Sequence, residues 1–328
     1  MKYFKNKLKI ENVGVHTLAK KFGTPSYCYS YRQLKSNINT FKKNFSSFDP
    51  LICFAVKSNT NLNLIKEIKK FGLGADVVSM GELMLALKAG IKPKKIVFSG
   101  VGKTSEEIKF AIDKKILLIN VESQSEIEEI EKIAKQKNKK VDIGIRLNPN
   151  TDAKTLRQIS TGKKENKFGL TKKNFLYLVN KYKYSNFINI ICLSVHIGSQ
   201  ITSHAPYKKM LNIVNSTIKD SKHKFNYVDL GGGMGIQYKK KGNKLNYKKY
   251  SSLIRAFLKR NRVKIIFEPG RSIIGNTGFL LTKIIYIKQT SKRNFVILDS
   301  AMNDMMRPAL YKAEHMILPS KLSKNKVN

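Results

Sequence analysis

Short apolar runs alternate with longer amphipathic stretches from residue 51 onward. Eight of these runs have the length and the β-branched content of strands: LICFAVKS (51–58), GADVVS (74–79), KIVFSGV (95–101), LLINVES (117–123), VDIGIRLNP (141–149), NIICLSVHIG (189–198), YVDLGGG (227–233) and KIIFEPGR (264–271). Most are continuously apolar rather than alternating, which is typical of strands buried on both faces of a parallel sheet.

Helical spacing marks the segments between these runs. Residues 61–72, 80–90 and 104–115 repeat apolar side chains every three or four positions, and Thr104 stands three residues before Glu107, as in a capping box. Eight such β-then-α units predict an α/β fold of the (β/α)8 TIM-barrel type. A doubly wound sheet is the alternative, but it seldom needs eight uniform units.

Strand-like runs also occur at both ends of the chain. TPSYCYSY precedes the first barrel strand, and GFLLTKIIYIK and NFVILDSA follow the last one with no helix between them. We therefore expect a barrel over residues 31–275 and a second, β-rich domain formed by residues 1–30 and 276–328. That second domain is expected to be incomplete, because one short segment and a polar tail follow NFVILDSA.

The charge of the chain is strongly positive. It has 63 Lys+Arg against 22 Asp+Glu, a formal net charge of +41, and 54 of the basic residues are lysine. A nucleic-acid surface would cluster its basic residues and favour arginine, whereas these lysines are spread along the whole length. We interpret the charge as a compositional bias and expect no specific nucleic-acid partner. The apolar share of 41% permits a large core and excludes wholesale disorder.

The sequence predicts a cytoplasmic protein without a membrane partner. It has no run of about 18 apolar residues and no apolar stretch of signal-peptide length near its start. The cysteines are Cys28, Cys53 and Cys192. Their odd number and their spacing suit neither a disulfide framework nor a metal site, so no metal is expected.

Residue types that carry chemistry fall at the carboxyl ends of the predicted strands, where barrels of this kind place their active sites. They are Lys57, His196, Gly231, Gly232, Gly233, Glu268 and Arg271. A run of three glycines lets backbone N–H groups approach an anion, and barrels often bind phosphate at the loops after strands seven and eight. A tight turn would explain GGG alone, but with EPGR in the neighbouring loop a phosphate site is favoured.

Lys57 is a candidate nucleophile. Most of the 54 lysines must be solvated surface groups, but Lys57 follows Phe54, Ala55 and Val56 directly. Desolvation there would lower its pKa and give a neutral, nucleophilic amine. An amine and a phosphate site on one rim predict pyridoxal 5'-phosphate held as a Schiff base.

The remaining rim residues suit the same cofactor. His196 could be a structural histidine, but at the rim, with Ser199 three residues further on, it could stack on a planar ring or move protons. Glu268, fixed by Pro269, would keep a pyridine nitrogen protonated. Arg271 would bind phosphate or a substrate carboxylate, unless it forms only a local ion pair with Glu268.

At these residues the sequence resembles the diaminopimelate decarboxylases, which belong to the alanine-racemase-like, fold type III family of pyridoxal-phosphate-dependent decarboxylases. The likeness spans about Tyr27 to Tyr311. Its motifs are YCYSY, FAVKSN, GADVVSMGEL, STGKKENKFGL, SVHIGSQI, VDLGGGMGI, FEPGR and MNDMMRPALY. HIGSQI and MNDMMRPALY are the two that are more particular to the diaminopimelate branch.

The resemblance implies a homodimer with shared active sites that converts meso-2,6-diaminopimelate to L-lysine and CO2, the last step of lysine biosynthesis. It implies catalytic roles for Lys57, His196 and Glu268. The implied cofactor contacts are Lys57, His196, Ser199, Gly231, Gly232, Gly233, Glu268, Pro269, Gly270 and Arg271. The implied substrate contacts are Arg271, Arg307 and Tyr311.

The sequence departs from the family in one respect. Family members continue with a Cys-Glu-Ser motif and a later Tyr, which supply a proton donor, a substrate contact and a phosphate contact across the dimer. That string is absent, and Cys28, Cys53 and Cys192 lie elsewhere. We therefore expect either a fragment or a truncated reading frame with impaired activity, or a missing part that is supplied from elsewhere.

Three other functions are weighed against this one. A non-catalytic pyridoxal-phosphate-binding barrel would keep Lys57 and the phosphate loops. A decarboxylase for ornithine or arginine would have little use for Arg307, because a second carboxylate-binding arginine needs a distal carboxylate. A nucleic-acid-binding protein is supported by the net charge alone.

Overall fold

The computed structural model describes residues 1–152, 161–162, 167–238 and 242–323. Its strands are β1 Lys2–Phe4, β2 Lys7–Ile10, β3 Val13–Gly14, β4 Ser26–Tyr29, β5 Leu51–Ala55, β6 Gly74–Val77, β7 Ile96–Phe98, β8 Leu118–Val121, β9 Val141–Leu147, β10 Ile188–Val195, β11 Tyr227–Asp229, β12 Lys264–Phe267, β13 Gly278–Leu281, β14 Ile284–Gln289 and β15 Asn294–Leu298. Much of the STGKKENKFGL motif lies outside the described residues.

The α-helices follow the strands in the order that the sequence predicts. They are α1 Val15–Phe22, α2 Tyr31–Phe45, α3 Leu62–Lys70, α4 Met80–Lys88, α5 Ser105–Asp113, α6 Gln124–Gln136, α7 Lys172–Tyr182, α8 Ala205–Ser221, α9 Tyr247–Leu258, α10 Arg271–Ile274 and α11 Arg307–Tyr311. The predicted capping box is confirmed at α5, where Thr104 and Glu107 exchange hydrogen bonds with each other's backbone.

The chain divides into two compact units. The larger unit consists of Asn37–Ile236 and Asn243–Gly275. The smaller one consists of Met1–Ser36, Gln237–Gly242 and Asn276–Asn328.

The larger unit is a closed barrel, which confirms the predicted fold. Strands β5 to β12 pair in parallel with their neighbours, and β12 returns to β5. Each strand ends a few residues before the corresponding predicted run does. The residues after each strand end are therefore outside the parallel strand pairing and can turn toward the mouth of the barrel.

Apolar and polar side chains form successive layers along the barrel strands. Cys53, Val97, Leu118, Cys192 and Ile266 belong to one buried apolar cluster. Two residues further along four of these strands the chain carries Ser99, Asn120, Ser194 and Glu268, all buried. Residues two apart on a strand point to the same face. The polar layer therefore lies one step closer to the carboxyl ends than the apolar cluster.

The smaller unit is built from short antiparallel sheets. Strands β1, β2 and β3 form one sheet, β4 pairs with β13, and β14 pairs with β15. The run GFLLTKIIYIK is therefore two strands that join different partners, and its prediction as a single run was wrong. Thr282 and Lys283 separate the two strands. A small cluster of Leu8, Ile10 and Val15, with Phe279 packed against it, supplies the core.

Some properties concern the described residues as a whole. None of their helices is long and apolar enough to cross a bilayer. No group of three or more His, Cys, Asp or Glu side chains within the described ranges could hold a metal ion. Cys28, Cys53 and Cys192 are free thiols.

Candidate active site

Lys57 lies at the mouth of the barrel. It occupies the short 3-10 turn Val56–Ser58 that follows β5. The backbone N–H of Ala55 donates to the carbonyl of Pro269 at 3.2 Å, which joins this turn to the EPGR loop. The Nζ atom of Lys57 is 2.7 Å from Oδ2 of Asp76 on β6. The Lys57 side chain is 48% exposed while that of Asp76 is fully buried, so the amine faces the open end and its partner does not.

Asp76 favours the protonated form of Lys57, whereas the sequence predicts the neutral form. Desolvation lowers the pKa of this amine, but the carboxylates of Asp76 and Glu268 outweigh it and the pKa is raised overall. The prediction of a lowered pKa was therefore wrong. The sequence showed the apolar residues beside Lys57 but not the carboxylates that the barrel brings to it.

A buried polar network lies beside Lys57. Nδ2 of Asn120 donates to Oγ of Ser99 at 3.2 Å and to Oδ2 of Asp229 at 3.0 Å. Oγ of Ser99 lies 3.1 Å from Oε1 of Glu268. A Cβ on Gly144 would lie 2.1 Å from Oδ1 of Asn120, so this glycine leaves the space that the amide occupies.

Burial raises the pKa values of two carboxyl groups of this network. Desolvation and the neighbouring charges of Asp229 and Asp76 raise the pKa of Glu268 well above its ordinary value. Desolvation also raises the pKa of Asp229, to about 6, although hydrogen bonds from Glu268 and the Gly231 N–H oppose this shift. Both carboxyl groups therefore hold a proton to higher pH than an exposed carboxyl group would.

The glycine turn follows β11 and touches His196. The N–H of Gly231 donates to Oδ1 of Asp229 at 2.9 Å, and the N–H of Gly232 donates to Nδ1 of His196 at 3.2 Å. Gly231 and Gly233 have φ values of 64° and 83°, which favour glycine. A Cβ on Gly231 would lie 2.5 Å from Nδ1 of His196, and one on Gly233 would lie 2.4 Å from the Gly198 carbonyl. The turn is a cradle that side chains would fill.

His196 is neutral. Desolvation lowers its pKa well below the ordinary value, and the positive charges of Arg146 and Lys57 lower it further. Because Nδ1 accepts a hydrogen bond from a backbone N–H, the ring hydrogen is on Nε2. Ser199 lies three residues further on and is partly buried.

The EPGR loop connects β12 to the short helix α10. Gly270 caps this helix and accepts from the N–H groups of Ile273 and Ile274. A Cβ on Gly270 would lie 3.0 Å from the Ser58 side chain, so this loop packs tightly on the turn that carries Lys57. Arg271 begins the helix.

Arg307 and Tyr311 lie on α11 of the smaller unit. Nε of Arg307 donates to Nε2 of His315 at 3.3 Å. The guanidinium carbon of Arg307 is 5.3 Å from the ring centre of Tyr238 and 5.9 Å from that of Tyr311. Desolvation and the Arg307 charge lower the pKa of His315, which suits its role as an acceptor. These contacts fix the orientation of the guanidinium group.

Sequence reasoning missed several residues at the mouth of the barrel: Asp76, Ser99, Asn120, Glu122, Arg146 and Asp229. Arg146 donates to Oε1 of Glu122 at 2.9 Å, and both are buried. Each of these is a polar residue within or directly after an otherwise apolar strand. A polar residue that interrupts an apolar run was therefore the signal in the sequence that could have identified them.

Comparisons with known proteins show the family of the chain. The family model for the pyridoxal binding domain of pyridoxal-dependent decarboxylases matches residues 31–275. A diaminopimelate decarboxylase of Aquifex aeolicus is 40% identical over 332 residues, which cover 99% of this chain and 78% of that protein. The chain belongs to the diaminopimelate decarboxylases.

Solved structures of this family have the same fold. The diaminopimelate decarboxylase of Helicobacter pylori, complexed with L-lysine, matches with a TM-score of 0.88 and 40% identity over 92% of this chain and 77% of that one. The enzyme of M. jannaschii matches with a TM-score of 0.91 and 36% identity over 98% of this chain and 78% of that one.

The residues present in this decarboxylase fit pyridoxal phosphate. The Gly231–Gly233 cradle carries no side chains that would block the approach of a phosphate group. Lys57 supplies a partly exposed amine, and the buried Oδ1 of Asp76 beside it has no hydrogen-bond partner among the described residues. Glu268 supplies a buried carboxyl group that can face a ring nitrogen.

Proposed function

We propose that this chain converts meso-2,6-diaminopimelate to L-lysine and CO2, with pyridoxal phosphate carried on Lys57. The observation that carries the proposal is the 2.7 Å pair of Lys57 and Asp76, set on the same barrel rim as Glu268 and the glycine turn. The identity of about 40% to diaminopimelate decarboxylases over nearly the whole chain supports this substrate over ornithine or arginine.

Each rim residue has a proposed task. When bound, pyridoxal phosphate supplies an aldehyde for the substrate amine and a ring that accepts the electron pair left by CO2. Lys57 must lose its proton before it can bond to that aldehyde, and Asp76 is placed to accept it. Glu268 would keep the ring nitrogen protonated, which favours the electron-accepting form of the ring. Neutral His196 would stack on the ring without adding charge.

The remaining predicted residues would bind the phosphate of the cofactor and the distal carboxylate of the substrate. Gly231–Gly233, Pro269, Gly270 and Ser199 would hold the phosphate through backbone and hydroxyl groups. Arg271, Arg307 and Tyr311 would bind the distal carboxylate of the substrate. The fixed orientation of Arg307 supports this role, because a preoriented guanidinium loses less freedom when it binds a carboxylate.

We also propose a cytoplasmic homodimer. Strands β14 and β15 expose apolar side chains along both of their lengths, such as Ile287 at 62% and Val296 at 55%. Exposed apolar surface of this kind is typical of an interaction site. Three free thiols support a reducing compartment.

The test is lysine formation by the purified chain supplied with pyridoxal phosphate and meso-diaminopimelate. Lys57→Ala is the negative control, and Lys70→Ala, which removes an exposed lysine paired with Glu67, is the matched positive control. L-Ornithine and L-arginine are offered separately. Lysine formation that Lys57→Ala loses and Lys70→Ala keeps would support the proposal. Bound cofactor without CO2 release from any of the three would contradict it.

A further inference from the structure

We propose that Asp229 is a positioning residue that fixes the two ends of the cofactor site together, by holding both the glycine turn and Glu268. This inference rests on the proposed use of pyridoxal phosphate. Asp229 is itself too deep to be a contact: it is fully buried at the last position of β11.

The first link runs to the phosphate end. Oδ1 of Asp229 accepts the N–H of Gly231 at 2.9 Å. Gly231 in turn accepts the N–H of Glu268 at its carbonyl, also at 2.9 Å. The left-handed conformation of Gly231 is thus held from both sides. A turn that keeps its conformation without a ligand loses little freedom when a phosphate binds beside it.

The second link runs to the ring end and has a defined direction. Asn120 uses both hydrogens of Nδ2, one on Ser99 and one on Oδ2 of Asp229. The hydroxyl of Ser99 must therefore direct its hydrogen to Oε1 of Glu268. The chain of hydrogen bonds from Asp229 through Asn120 and Ser99 thus fixes the orientation of Glu268. The same network also places the Asp229 carboxylate behind the Glu268 carboxyl group, which would face a protonated ring nitrogen.

Two analogues of the cofactor distinguish the effect of Asp229 at the phosphate end of the site from its effect at the ring end. Pyridoxal lacks the phosphate, and 1-deaza-pyridoxal phosphate has carbon in place of the ring nitrogen. We would measure dissociation constants of pyridoxal phosphate and both analogues for Asp229→Asn, in the absence of substrate. The ratio of the dissociation constants of pyridoxal and pyridoxal phosphate measures the preference at the phosphate end. The ratio for the deaza analogue and pyridoxal phosphate measures the preference at the ring end. A residue that only supports the fold would weaken all three ligands alike.

Three further variants complete the experiment. Asn120→Ala removes the support of Glu268 but leaves the bond from Gly231 to Asp229. Asp142→Asn is the matched control, since Asp142 lies on barrel strand β9 and its carboxylate contacts Asn189 and Lys94 and no other polar side chain within the described part of the chain. Glu268→Gln in the Asp229→Asn background tests whether the ring effect passes through Glu268. Melting temperatures identify any variant that does not fold.

The expected result is a loss of about tenfold or more in both preferences for Asp229→Asn, the scale of a hydrogen bond to a charged group. Asn120→Ala should lose the ring preference alone, Asp142→Asn should lose neither, and Asp229→Asn should have little ring effect once Glu268 is Gln. Equal weakening of all three ligands by Asp229→Asn, or no change, overturns the inference. If Asp229→Asn does not fold, an unchanged ring preference in Asn120→Ala overturns it.

The outcome is distinct from that of the proposed function. If the wild-type chain bound pyridoxal phosphate but formed no lysine, that result would contradict the proposed reaction. The dissociation constants of the variants could still be compared. Wild-type chain that does not bind pyridoxal phosphate would overturn both.

Discussion

The Nζ atom of Lys57 lies 2.7 Å from Oδ2 of Asp76, while Oδ1 of the same carboxylate has no partner among the described residues. This pair keeps the amine protonated, because the Asp76 charge outweighs the desolvation that would otherwise lower the pKa of Lys57. The amine that must react is thus stored in its unreactive form, next to a group that can take its proton.

Asp76→Asn should shift the pH dependence of cofactor attachment. Without the carboxylate, the pKa of Lys57 falls, so a larger share of the amine is neutral at a given pH. The midpoint of the pH profile of the attachment rate should therefore move to lower pH. Stopped-flow absorbance after mixing with pyridoxal phosphate measures this rate. An unchanged midpoint would show that Asp76 does not set the charge of Lys57.

Glu268→Gln should separate cofactor binding from decarboxylation. The amide fills the same space but cannot give up a proton, so pyridoxal phosphate should remain bound while turnover falls about 100-fold or more. Bound cofactor is measured by absorbance and CO2 release by trapping. Ser99→Ala, which removes only the hydroxyl beside Oε1 of Glu268, should have a smaller effect. Normal turnover by Glu268→Gln would contradict the proposed role.

The same substitution should change how stability depends on pH. The pKa values of Asp229 and Glu268 are both raised in the folded chain, so the folded state binds more protons than the unfolded state above about pH 4. The free energy of unfolding should therefore fall as pH rises from 4 to 7, by up to about 1.4 kcal/mol per pH unit for each retained proton. Glu268→Gln removes one of these protons. Urea unfolding across this pH range should show the stability of the variant, relative to wild type, rising with pH. A pH-independent difference would count against the raised pKa of Glu268.

Arg307→Ala should raise the KM for diaminopimelate about tenfold or more, the scale of a charged hydrogen bond, with little loss of cofactor affinity. The guanidinium is held by His315 and stacked on Tyr238, which suits a substrate contact. Arg293→Ala, at an exposed arginine next to strand β15, is the matched control. Steady-state kinetics and cofactor titration distinguish the two effects. A weakened cofactor with an unchanged KM would place Arg307 elsewhere in the reaction.

The barrel and its rim could be predicted because they depend on local signals. A buried parallel strand is a continuous apolar run, and residues just after it must lie at the mouth. Asp76, Asn120 and Asp229 could not be placed, because their importance lies in which strands meet across the barrel. Each was visible as a polar residue in an apolar run, but nothing local says that Asn120 on β8 contacts Asp229 on β11. The wrong pKa prediction for Lys57 has the same origin, since Asp76 is brought to it by the pairing of β5 with β6.

Gly232→Ala tests the cradle directly. A Cβ at this position would lie 2.2 Å from the carbonyl oxygen of Glu268, and a backbone atom in a barrel loop cannot move aside as a side chain can. The free energy of unfolding should fall by about 1–3 kcal/mol, and affinity should fall more for pyridoxal phosphate than for pyridoxal. Gly102→Ala is the control, because its Cβ would meet nothing within 4 Å and should change stability by less than about 0.5 kcal/mol. If the two variants had equal stability and equal affinity for both ligands, the glycine turn would not be the phosphate site, since its close fit against the Glu268 carbonyl is what links the turn to that end of the site.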